Sequence, residues 1–166
     1  RIFVGGSWDN TNGTYTYSDG DSVTFDGSSS PSTISGSTDW DILTINNSAG
    51  VTVSSGTQNI YNKINIKSGA LTTNGSVVLK SNASGTAFLD NIETGSISGS
   101  LTVERFLGLT TQGWREITSP VQGTSLADWQ NDGVVFTGFP NSDFPLFEFN
   151  GAVWSNAYTY DETVIG

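Results

Sequence analysis

Between Ser22 and Phe106 apolar and polar positions alternate over short runs: Ser22-Val-Thr-Phe25, Asp41-Ile-Leu-Thr-Ile45, Gly50-Val-Thr-Val53, Lys63-Ile-Asn-Ile66, Ser76-Val-Val-Leu79 and Ser100-Leu-Thr-Val103. A period of two puts every second side chain on one face, which predicts half-buried strands, and helical spacing is almost absent. Phe25 to Ile45 is 20 positions and Ile45 to Ile66 is 21, with a shorter run, Ser32-Thr-Ile-Ser-Gly36, between them. Recurrence at about 20 residues marks stacked coils, none of which can bury its apolar side alone. The expected fold is therefore all-β, a right-handed parallel β-solenoid over residues 1–107, with inward Val, Ile, Leu and Phe stacked at about 4.8 Å. Gly27, Gly36, Gly56, Gly69, Gly75 and Gly85 fall at its corners, some with positive φ. A β-sandwich, whose strands recur every 8 to 12 residues or so, is the alternative architecture.

After Phe106 the pattern changes. Trp114, Trp129, Phe136, Phe139, Phe144, Phe147, Phe149, Trp154, Tyr158 and Tyr160 crowd together, and three of the four prolines lie here. Residues 108–166 are read as a second, aromatic-rich β unit, truncated at its end and placed to cover the open end of the solenoid. Gly113–Val121 reads as a strand ending at a turn, and Ser125–Trp129 as one helical turn capped by Ser125 or Thr124. The opening Arg1-Ile-Phe-Val4, without Met, and the strand-like Thr163–Gly166 suggest a piece of a longer chain.

The chain is 35% apolar and 11% aromatic over 166 residues, enough to build a core. Only 13% of residues are charged, so hydroxyls and amides must wet the surface, and the residues that favour helix are scarce. A net charge of −10 without a basic cluster disfavours nucleic acid and anionic membranes, and no apolar run is long enough to insert in a bilayer. His, Cys and Met are absent, which removes imidazole bases, thiolate chemistry, disulfides and soft-metal sites. A Ser/Thr/Gly-rich acidic chain of this kind suits a secreted or cell-surface setting.

Carboxylates stand in three pairs, Asp19/Asp21, Asp39/Asp41 and Asp161/Glu162. Glycoside hydrolysis needs two carboxyls across a cleft with one held protonated by burial, whereas these pairs sit among turn residues and read as solvated corners. No catalytic residue and no enzyme activity are expected. Asp9, Asn12, Asp19 and Asp21 gather oxygen ligands around glycines and are the calcium candidates, but they match no known calcium loop, so plain turns and no cofactor are the preferred account. Trp40 and Trp129 are candidate glycan contacts, Trp40 because Asp39 and Asp41 flank it; Trp8, Tyr15 and Tyr17 offer a further stacking platform, against burial as the competing role. Ile2, Phe3 and Val4 form a candidate assembly strand, whose free backbone groups another chain's strand can satisfy.

Val23-Thr-Phe-Asp-Gly-Ser-Ser-Ser, Leu43-Thr-Ile-Asn-Asn, Gly50-Val-Thr-Val-Ser-Ser-Gly-Thr and Gly95-Ser-Ile-Ser-Gly-Ser-Leu-Thr-Val-Glu-Arg-Phe follow one another as in large secreted repeat proteins of Bacteroidetes. Gly113-Trp-Arg-Glu-Ile-Thr-Ser-Pro-Val and Leu126-Ala-Asp-Trp resemble the segment after the repeats in those proteins. The resemblance implies export by type IX secretion, a cell-surface or extracellular location, and adhesin-like or fibre-forming roles. It implies as partners other copies of the chain, neighbouring domains or surface polysaccharide. Asp21-Ser-Val23 also resembles the O-glycosylation acceptor of that phylum, which would make Ser22 the modified residue. From a different class, a non-catalytic carbohydrate-binding module of a secreted polysaccharide-degrading protein is the alternative function.

Overall fold

Each alternating run pairs in parallel with the run one coil further on. The computed structural model describes residues 1–106 and, beyond them, Asp128, Asn131 and two short strands. In chain order the first coil contributes β1 (Ile2–Val4) and β2 (Trp8–Asp9), the second β3 (Ser22–Phe25) and β4 (Ser32–Ser35), and the third β5 (Thr38–Asn46) and β6 (Val51–Val53). The fourth holds β7 (Gln58–Ser68) and β8 (Ala70–Thr72). The fifth holds β9 (Val77–Leu79), a hairpin of β10 (Ser81–Asn82) and β11 (Gly85–Thr86), then β12 (Phe88–Ile92) and β13 (Ser96–Ser98). β14 (Thr102–Val103) follows. The result is a parallel β-solenoid of about five turns. Parallel pairing between successive coils rules out the sandwich, whose neighbours run antiparallel.

Among the described residues the strands stack into three ladders, two from the first coil onward and one beginning in the third coil. The first joins β1, β3, the second half of β5, the second half of β7, and β12. The second joins β2, β4, β6, β8 and β13. The third joins Thr38–Trp40, Gln58–Ile60, β9 and β14. In the first ladder Ile2, Val23, Leu43, Ile64 and Leu89 form one inward column, and Val4, Phe25, Ile45, Ile66 and Ile92 a second. Ile34, Val51, Val53, Leu71, Trp40, Ile60, Val77 and Leu79 complete the buried apolar core from the other two faces. Each fully buried large aliphatic or Phe side chain contributes about 1.5–3 kcal/mol, so the columns carry the fold without disulfides.

β5 and β7 each turn from the third ladder into the first without a break. The partner of Trp40 is Ile60 but that of Ile42 is Lys63, so β7 holds one extra residue at the corner, a bulge that bends the strand. Sequence alternation predicts only the Asp41–Ile45 and Lys63–Ile66 parts, because Thr38-Asp-Trp and Gln58-Asn-Ile carry one large apolar residue each. Corners are closed by glycine where backbones touch. A Cβ on Gly69 (φ +77°) would lie 1.8 Å from the Asn47 carbonyl oxygen, and one on Gly56 (φ +75°) 2.3 Å from the Gly36 carbonyl carbon.

The chain divides into two compact units, Arg1–Leu109 and Thr110–Gly166. In the second, β15 (Phe147–Phe149) pairs antiparallel with β16 (Trp154–Asn156), and Asp128 and Asn131 are helical. The strand expected at Gly113–Val121 lies outside the described residues, as does most of the helical turn expected at Ser125–Trp129. The expected covering of the solenoid end by this unit rests on residues that are likewise outside the description.

Candidate functional site

The large apolar side chains exposed among the described residues lie on the terminal rungs and at Phe106. β1 pairs with β3 on one side only; Ile2 and Phe3 are exposed, Phe3 at 60%, and the Arg1 guanidinium carbon stands 5.5 Å over the Phe3 ring. At the other end of the same ladder β12 pairs with β7 and exposes Phe88, Leu89 and Ile92. Among the described residues, β1, the predicted assembly strand, and β12 thus each pair on one side within this ladder and carry exposed apolar side chains.

Trp40 is not a surface residue. It is fully buried, its ring 5.0 Å from that of Trp8 and 5.7 Å from that of Tyr15, and its indole N–H donates to Gln58 Oε1 at 3.0 Å. As a glycan contact it is therefore excluded: alternation along Thr38–Trp40 turns the indole inward, and the flanking aspartates have other tasks. Asp41 is itself buried at the corner, correcting the expectation of a solvated turn, and its Oδ2 accepts the Gly20 N–H at 2.6 Å. Asp39 accepts from Asn59 Nδ2 at 2.8 Å. Trp8 and Tyr15 meet edge to face at 5.2 Å and pack on the core, so they form an aromatic lid over this end rather than an open platform. Asn10 holds the lid's loop down, donating to Ser37 O at 2.9 Å and Thr38 Oγ1 at 3.2 Å. Burial, then the charges of Asp21 and Asp41, push the Tyr15 phenol upward. Tyr17 stacks instead on Tyr61, with ring centroids 5.3 Å apart.

Two of the four calcium candidates, Asp9 and Asp21, serve local turns. Asp9 Oδ1 accepts the Thr11 N–H at 2.9 Å, and hydrogen bonds from the Thr11 side chain and then its backbone hold the Asp9 carboxyl below its usual range. Asp21 Oδ2 accepts the Ser18 N–H at 2.9 Å, and Asn12 and Asp19 are exposed. Among the described residues no three acidic, His or Cys side chains gather as a metal cluster. Ser22 is half-buried in β3 opposite Ile42. Trp129 lies outside the described residues.

A feature that sequence reading missed is a groove of about 540 Å³ on the outer side of the first ladder. One outward row runs Phe3, Thr24, Thr44, Asn65 across four coils, and a parallel row runs Ser22, Ile42, Lys63. Thr24 and Thr44 are buried by their neighbours and make the floor, with Asn65 Nδ2 donating to Thr44 Oγ1 at 3.1 Å. Arg1, Lys63 and Lys67 stand around it, three of the six basic residues of the chain. Lys67 occupies a second bulge, between Ile66, opposite Ile45, and Ser68, opposite Asn46. Lys63 bonds Asp90 Oδ2 at 2.8 Å, which holds the Asp90 carboxyl below its ordinary value. Lys63 and Lys67 are neighbours on β7, whereas Arg1 lies more than sixty residues away in sequence and is brought to them only by the stacking of coils.

No helix among the described residues is long and apolar enough to cross a membrane. No protein-family model, curated protein or solved structure matches the chain.

Proposed function

We propose that the chain is a structural and adhesive element of an extracellular or cell-surface protein, of the Bacteroidetes type exported by type IX secretion, and that it forms fibres by stacking through its end strands. The observation that carries this reading is the match between the two ends of the first ladder. Leu89 and Ile92 continue the columns begun by Ile2 and Val4, with every strand running the same way. β1 of a second copy, or a strand of a neighbouring domain, set beside β12 would extend both columns and pair the free backbone edge. A head-to-tail contact of this kind propagates, because each addition leaves the same end exposed. The reading assigns no catalytic step; Asp9, Asp21, Asp39 and Asp41 are engaged in turn, corner and inter-strand hydrogen bonds, and the pair Asp161/Glu162 lies outside the described residues.

Electron microscopy and sedimentation velocity on the full chain test it. Rods with a constant axial repeat, lost when residues 1–5 are removed or Leu89 is changed to Lys, are the expected result; discrete particles, or rods unaffected by either change, would overturn it. The second reading, a non-catalytic carbohydrate-binding module, no longer has Trp40 to rest on and draws its support from the outer groove.

A further inference from the structure

We infer that the outer groove of the first ladder binds an acidic polysaccharide, a uronate- or sulfate-bearing chain laid across β1, β3, β5 and β7. The inference is independent of end-to-end stacking and gives the carbohydrate-binding reading its ligand class.

Charge distribution is the first argument. A chain of net charge −10 places half of its basic residues around one groove whose lining holds no carboxylate. Lys63 is shared with Asp90, so Arg1 and Lys67 carry most of the attraction, and Lys67 is exposed on its bulge. Hydrogen-bonding capacity is the second. Thr44 Oγ1 accepts from Asn65, which leaves the Thr44 hydroxyl proton free to donate outward, and Thr24 and Ser22 add two hydroxyls on the adjacent rung β3. Phe3 and Ile42 supply apolar surface for the C–H faces of sugar rings. Rungs repeat at about 4.8 Å, so equivalent polar groups recur at a spacing suited to a polymer of similar units.

Two other polyanions fit less well. Duplex nucleic acid carries one charge per 1.7 Å or so and demands many more cations than three. An anionic bilayer is flat, whereas Thr24 and Thr44 lie at the bottom of a recess. The overall negative charge opposes any polyanion at long range, but salt screens that repulsion beyond about 8–10 Å while contacts inside the groove persist. Single-site affinity is modest on these terms, and a polymer spanning several copies gains by multivalency.

Affinity electrophoresis of the full chain through gels containing polygalacturonate, dextran sulfate or neutral dextran provides the test. Retardation in either acidic gel and none in neutral dextran is expected. Changing Arg1 and Lys67 together to Ser weakens it about tenfold, and Thr44→Val weakens it with the charge unchanged. Leu89→Lys, outside the groove, leaves retardation intact while blocking rods, so failure of stacking and failure of glycan binding are read separately. Equal retardation in neutral dextran, no retardation in either acidic gel, an unaffected double variant, or stronger retention by duplex DNA or phosphatidylserine vesicles would each overturn the inference.

Discussion

Gln58 shows how much one buried amide can hold. It is fully buried; Oε1 accepts the Trp40 indole N–H at 3.0 Å, and Nε2 donates to the Gly36 carbonyl at 2.9 Å. Gln58→Leu leaves a buried donor and a buried acceptor without partners, so unfolding by urea should show a loss of about 2–3 kcal/mol. A loss below that of an ordinary surface change would show that the two groups find other partners. Gly56 makes the complementary case. Ala there meets Gly36 backbone and must also hold a positive φ, so Gly56→Ala should cost at least about 2 kcal/mol, while Gly85→Ala, with open space around it, should stay within about 0.5 kcal/mol. Such partners lie about a coil apart, which is why adjacent letters mislead. Asp39 and Asp41 made Trp40 look exposed, yet each finds its hydrogen bond about twenty residues away.

At the scale of elements, β7 is tied to β12 by Lys63 and Asp90 as well as by backbone pairing. The Lys63 ammonium is the main cause of the lowered Asp90 carboxyl, with the Asn91 N–H second. Because the folded value lies below the ordinary 3.8, the link is fully present above that pH and is lost as pH falls through the lowered folded value. Carboxyl NMR titration should place the Asp90 midpoint below 3.8, and Lys63→Gln should move it upward; an unmoved midpoint would remove the link from the account. Lys80 and Glu104 join the β9 and β14 ends of the third ladder with the opposite sign: the hydrogen bond raises Lys80, so this contribution is present below the ordinary lysine value and is lost at more alkaline pH. Both pairs are partly exposed and screened, so their effect on total stability is small.

For the whole molecule, repetition makes a strong prediction. Residues 43–63 amount to one coil in register, since Ile42 pairs with Lys63 and Leu43 with Ile64. Deleting them joins Ile42 to Ile64 and should leave a folded, shorter solenoid with the circular dichroism of strand and a lower melting temperature, because each coil contacts only its neighbours. Deleting half that length shifts inward columns off their partners and should abolish cooperative melting. If both deletions behave alike, stability does not reside in the stacked columns. Stacking of copies through β1 and β12 extends the same logic beyond one chain.

Alternation and spacing near 20 residues determine the strands, the parallel coil and most of the inward columns from sequence alone, because an inward residue in a solenoid repeats locally and needs no knowledge of distant partners. β3, β4, β6 and β9 fall within a residue of the runs read from the chain, and the core parts of β5 and β7 agree as well. Tertiary structure decided the rest. Two strands of the third ladder, Thr38–Trp40 and Gln58–Ile60, emerged from polar-looking segments, and the fifth coil absorbed the β10–β11 hairpin, so Leu89 stands 25 positions from its partner Ile64. The burial of Trp40 and Asp41, and the meeting of Arg1, Lys63 and Lys67 around one groove, depend on which coil lies above which. That information belongs to the pairing register between coils, and it exists only once the chain has wound onto itself.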